Sequence, residues 1–293
     1  MYRQTYEEAA GRLQTLCEHL EEAGFSKLDR IRIQVKNIRD LAEAQRQGTL
    51  DGLAARLDPN RRRELMWSFV EGFEFADALA SLEHQGISIP QEVLERALNG
   101  PADVSSENDR NNLGRNTAFE VALAGDLAAA GLKPILGSEP DLITEFSGRR
   151  LLIACKRSWR SDTVRTQIET AAKQLGRLLD REASPRDCGL IAISATRVFT
   201  TGERVLEVSR ESQVRDYLNG ELSGLFAEHR LACRAIKNPK IAGLLLHISI
   251  PGYVIEEKLL ITAAHTLIVH VEGKSDAALL EDLGLLLQRN VAA

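Results

Sequence analysis

The spacing of apolar residues changes once along this chain, near residue 115, and that change limits what the chain can fold into. Before it, apolar residues recur three and four apart. YEEAAGRLQTLCEHLEEAG carries them at positions 9, 13, 16, 17 and 20, one face of a helix that stops at Gly24. LDRIRIQVKNIRDLAEAQRQG and PNRRRELMWSFVEGFEFADALASLEHQG repeat the pattern up to Gly48 and Gly86, and IPQEVLERALNG adds a short helix behind Pro90. The aperiodic polar stretch GPADVSSENDRNN then reads as a linker. Two domains are therefore expected: a helical one over residues 1–105, suited to partner binding or dimerisation, and a second over 106–293.

In the second part, helical and strand patterns alternate. NTAFEVALAGDLAAAG reads as a helix, LKPIL, DLITEF and RRLLIACKR as strands, and SDTVRTQIETAAKQLGRLLDRE as a helix. CGLIAISATR follows as a strand, EVSRESQVRDYLNGELSGLFAEHRLACRAI as a helix, and IAGLLLHISI and TLIVHVEG as strands. That order predicts an α/β (α+β) domain with a mixed sheet flanked by helices.

A chain of 293 residues, 44% apolar, can bury a sizeable core. No apolar run approaches the ~20 residues of a membrane span, and MYRQTYEEAAGR lacks the pattern of a signal peptide, so a cytoplasmic protein without membrane partners is expected. Cys17, Cys155, Cys188 and Cys233 form no CxxC pair and read as buried free thiols, and the six histidines lack metal-ligand spacing. Met66, Trp67, Phe69, Phe73 and Phe75 read as helix packing, and the basic stretches at Arg30–Arg39 and Arg61–Arg63 as solvated faces.

Net charge is −5, yet residues 148–186 carry ten basic residues against four acidic ones. This local field makes Arg157, Arg160, Arg165 and Lys173 the expected nucleic-acid contacts. Arg115 joins them at the start of a helix that Asn116 or Thr117 would cap. Gly273-Lys274-Ser275 lacks the upstream glycine of a phosphate loop, which argues against a nucleotide-binding enzyme.

Strand alternation sends Lys156 and Ala154 to one side of RRLLIACKR, and Ile153 and Cys155 to the other. Asp141, at the start of the neighbouring strand, can lie beside the end of this one, and Glu120 on the preceding helix can complete a group of two carboxylates and an ammonium. Phosphodiester hydrolysis needs such a group: hard oxygen ligands for Mg²⁺ or Mn²⁺ and a lysine to position the attacking water.

With Pro140-Asp141, Lys156 and the helix-borne Glu120 in place, residues 115–197 resemble the PD-(D/E)xK nucleases. The resemblance implies an αβββαβ restriction-endonuclease-like core and a metal-dependent DNA endonuclease. Asp141 and Glu120 would ligate the metal, and Gln174 (or Gln167 or Lys173) would line the site from the next helix. It also implies a homodimer for cutting both strands and, by fold analogy, a phage-defence effector beside a helicase or ATPase subunit.

The departure is Ala154, where the family carries Asp or Glu. Either an acidic residue was deliberately replaced, or the chain is naturally degenerate, or the carboxylate has migrated to Glu145 or Glu139. Survival of Glu120, Asp141 and Lys156 favours replacement. An impaired nuclease is therefore expected, and the competing expectation is a non-catalytic nucleic-acid-binding or scaffold subunit.

Overall fold

The computed structural model describes residues 5–50, 56–101, 104–107, 111–137, 139–181, 184–200, 205–271 and 276–291. Gly273-Lys274-Ser275 lies outside them, as do parts of the 100–112 linker.

Four helices open the chain: α1 (Tyr6–Glu22), α2 (Asp29–Arg46), α3 (Pro59–His84) and α4 (Gln91–Leu98). Local sequence sets two of the starts. Thr5 and Glu8 form a reciprocal capping box on α1, and Asp58 accepts from the Asn60 and Arg61 amides with Pro59 in the first turn of α3. The aromatic run of α3 packs inward as expected, with Phe69 and Phe73 edge-on to Tyr6.

Helix α5 (Leu113–Ala129) leads into β1 (Ile135–Leu136), β2 (Leu142–Phe146) and β3 (Arg149–Arg157). Ser147 and Gly148 join β2 to β3 with φ of 50° and 73°, the two positive values that a tight two-residue hairpin requires. Then come α6 (Ser161–Arg181), β4 (Asp187–Ser194), α7 (Thr196–Phe199), β5 (Leu206–Val208), α8 (Ser212–Arg234), β6 (Ile241–Val254), β7 (Leu259–His270) and α9 (Ala277–Val291). The seven strands form one mixed sheet in the order β1-β2-β3-β4-β6-β5, with β7 also pairing with β6. The β2–β3 and β6–β7 pairs are antiparallel, while β3–β4 and β4–β6 are parallel.

The mixed α/β architecture is as expected, with three local differences. Leu206–Val208 is a strand and the following helix starts at Ser212, so the helical reading began too early. Residues 277–291 form a helix that was not anticipated. Asn116 and Thr117 do not cap α5: the helix begins at Leu113, and both lie within it.

Alternation along the central strands makes two cores. Leu151, Ile153 and Cys155 of β3, with Leu190 and Ala192 of β4, face the layer built from α1–α5 and α9. Leu152, Ala154, Ile191 and Ile193 face α6 and α8. The helical layer meets the sheet through α3 and α5. There Gly125 allows near contact of two backbones, since a Cβ on it would stand 2.4 Å from the Ala78 Cα. Among the described residues no helix is long and apolar enough to cross a membrane.

Candidate active site

The hairpin brings Asp141 to the end of β3. Ladder pairing stops at Leu142 opposite Ile153, so the next step back along β2 sets Asp141 across from Ala154. Asp141 Oδ2 accepts from the Cys155 amide at 2.7 Å and from Lys156 Nζ at 3.3 Å, and Nζ also donates to the Cys155 carbonyl at 2.8 Å. A charged hydrogen bond to a backbone amide fixes the carboxylate, and the lysine is drawn back over the strand end.

Glu120 approaches from α5 and is 9% exposed, as is Asp141. Burial pushes its carboxyl up to about 8, the Asp141 charge adds to the rise, and Arg96 and Lys156 oppose it. At neutral pH Glu120 is therefore mostly protonated. Burial, and then the charges of Asp141 and Glu120, raise the Cys155 thiol well above its ordinary range. Glu120, Asp141 and Lys156 thus form one electrostatic unit.

Ala154 is 0% exposed and belongs to the apolar layer beneath α6, together with Val164, Ile168 and Leu175. Glu145, one of the positions to which a carboxylate could have migrated, sits opposite Arg150. It stands four residues from Asp141, about 13 Å along the strand. Glu139 is exposed beside Pro140. Gln174 and Gln167 are half-buried on α6 and share no hydrogen bond with the three polar groups.

Among the expected nucleic-acid contacts, Arg160, Arg165 and Lys173 are exposed; Arg160 pairs with Asp162 and Arg165 with Glu169. Arg157 and Arg115 are corrections. Both are buried, Arg115 to 3% exposure, and both face carboxylates: Arg157 meets Glu107 at 2.9 Å, and Arg115 meets Glu71 at 2.6 Å. A buried charge needs a partner, and these arginines found theirs inside the protein. Arg30, expected on a solvated face, is buried beside Glu71 as well.

Other polar groups carried no local signal in the sequence. His247 bonds Glu74 at 2.9 Å and Thr266 at 3.1 Å, joining residues 173 positions apart in the first case. Burial works against its charge, but Glu74 raises its pKa on balance. Ser161 Oγ donates to Glu228 at 2.7 Å and lies 3.2 Å from His229 Nε2. Because the carboxylate holds the serine itself and not the far side of the imidazole, this group lacks the relay of a hydrolase triad.

Among the described residues no three His, Cys, Asp or Glu side chains are grouped to hold a metal. Asp141 and Glu120 are two hard oxygen donors, a set that fits a Mg²⁺ ion keeping most of its water and sharing a substrate phosphate, and does not make a dedicated cage. No family model, no curated protein and no solved structure matches this chain.

Proposed function

We propose that this chain is a metal-dependent nuclease of the PD-(D/E)xK kind that acts on DNA and is impaired by Ala154. The observation that carries this reading is the Lys156–Asp141 pair at the open end of the β2–β3 hairpin, with the buried Glu120 carboxyl of α5 within the field of both charges. The run α5-β1-β2-β3-α6-β4, with an antiparallel hairpin followed by a parallel crossover, supports the αβββαβ core.

In this reading Asp141 and Glu120 would hold Mg²⁺ or Mn²⁺. When bound, the ion polarises the phosphoryl group and lowers the pKa of its water. Lys156 orients the attacking water and offsets charge that develops on phosphate oxygen. Glu120 must release its proton to act as a ligand, because its carboxyl is neutral near pH 7 without a cation. The Cys155 amide keeps Asp141 aimed while these changes occur. Arg160, Arg165 and Lys173 would meet the nucleic-acid backbone.

The sealed methyl of Ala154 favours a second reading, a non-catalytic DNA-binding or scaffold subunit. Plasmid nicking in Mg²⁺ separates the two. The nuclease reading expects little nicking by this chain and a rise of at least ~10²-fold on Ala154→Glu, in line with the weight of one preorganised electrostatic group. A folded Ala154→Glu protein that binds DNA and nicks no faster would leave only the scaffold reading.

A further inference from the structure

Between the helical layer and the sheet lies a second group of charges, separate from the Asp141–Lys156 end of the hairpin. Arg30 of α2 lies 3.4 Å from Glu71 of α3, and Glu71 meets Arg115 of α5. Arg157 and Arg197 bond the two oxygens of Glu107 at 2.9 and 3.0 Å. Four guanidinium groups face Glu71 and Glu107, so that positive charge is in excess among the described residues even with Glu74 counted as a third carboxylate. Glu74 borders the same space but is bound to His247.

Such an excess is costly away from water. Arg30 shows the strain: burial brings its pKa down to about 10, and Arg115 and Arg157 push the same way. Among the described residues Arg157 directs one of its five N–H donors to a side chain, that of Glu107.

Arg30, Glu71, Arg115 and Arg157 of this group, with Glu74 and Trp67, line a half-open cavity of about 30 Å³. That is roughly twice the ~10–15 Å³ one water needs, so a tetrahedral oxyanion can enter with small adjustments and a nucleoside cannot. Trp67 supplies an independent sign. It is 5% exposed, it borders the cavity, and its indole N–H has no acceptor among the described residues. A buried donor left unpaired costs about 1–3 kcal/mol, so it signals an acceptor supplied from outside the chain.

We propose that this cavity is a phosphate-binding site, in which one phosphate group accepts hydrogen bonds from Arg30, Arg157 and the Trp67 indole and offsets the excess positive charge. The site does not depend on the nuclease reading. It takes either inorganic phosphate or the terminal phosphate of a nucleic acid, since both present the same tetrahedral oxyanion.

The chain has two tryptophans, so Trp159→Phe leaves Trp67 as the only indole. Inorganic phosphate titrated into that variant at constant ionic strength, without divalent cation, is expected to change its emission saturably at millimolar concentration or below. Wild-type protein is expected to melt at a higher temperature in phosphate than in chloride. Trp67→Phe keeps an aromatic ring and removes the donor: it should melt like wild type, or higher, in chloride and lose most of the phosphate-dependent rise. Arg157→Gln should weaken binding at least tenfold.

No saturable emission change, or an undiminished phosphate-dependent rise in Trp67→Phe, would overturn the site. If Arg157→Gln does not fold, the Trp67→Phe comparison decides. Competition by a 5′-phosphorylated oligonucleotide but not its 5′-hydroxyl form identifies a nucleic-acid end as the source. No competition by either identifies free phosphate, and both results uphold the site.

Discussion

Glu71 Oε1 and Arg115 Nε meet at 2.6 Å between α3 and α5, both of them buried or nearly so. Burial alone would raise the Glu71 carboxyl, yet the charges of Arg115 and Arg30 bring it down to about 2. The pair therefore stays ionised in the interior and fastens α3 to α5 within the helical layer.

Removing one member of that pair leaves buried charge uncompensated. Glu71→Gln is expected to cost about 3–5 kcal/mol in urea unfolding, the usual result of breaking a buried ion pair from one side. Because the folded pKa lies below the ordinary value, Glu71 contributes stability above pH ~4.5 that is lost as pH falls toward 2. A loss under ~1 kcal/mol at neutral pH would show that the pair fastens nothing.

Glu120 has the opposite sign. Its folded pKa is raised to about 8, so its contribution to stability is fully present below pH ~4.5 and is lost as pH rises through 8. Burial of Asp126 and Asp77 raises them to about 6 and 7, adding to the same trend. Unfolding midpoints measured from about pH 5 to about pH 9 should fall, and Glu120→Gln should flatten the fall by a few kcal/mol at ~1.4 kcal/mol per unit of pKa. Equal slopes for the two proteins would contradict the burial of this carboxyl.

Asp141 and Lys156 can be tested in the Ala154→Glu background. If the three polar groups act together on a phosphodiester, Asp141→Asn and Lys156→Met should each remove at least ~10²-fold of whatever nicking that background shows. Retained nicking in either variant would place the chemistry elsewhere.

On α6, Arg165 and Lys173 reach solvent while Arg157, at the end of β3, does not. If the chain binds DNA as proposed, replacing Arg165 and Lys173 with Gln should weaken that binding and reduce the slope of log affinity against log salt by about 1 for each phosphate that is no longer neutralised. An unchanged slope would move the nucleic-acid face off this helix.

Gly125 admits no side chain. A Cβ there would meet Ala78 at backbone distance, so Gly125→Val should cost several kcal/mol in thermal or urea unfolding by forcing α3 and α5 apart. A near-neutral change would mean that the two helices separate readily.

Hairpin, lysine side and helical acid were legible because they rest on local rules. Period-two alternation placed residues 153–156, a Ser-Gly turn set the register, and α5 follows its apolar spacing. Arg115 and Arg157 were misplaced for a different reason. Their sequence neighbourhood is basic, but their carboxylate partners Glu71 and Glu107 come from 44 and 50 residues away. Local charge density cannot show that a distant helix will cover it. β5 escaped because three residues are too few to display a period, and the register of β6 decides its pairing.

Lys156 and Arg157 are consecutive on β3 and their ammonium and guanidinium groups serve different neighbours, one the hairpin carboxylate and one Glu107. From Glu107 the chain of charges runs through Arg115 and Glu71 to Arg30 on α2. The run of buried charges that ties α2, α3 and α5 together therefore ends one peptide bond from the lysine of the hairpin.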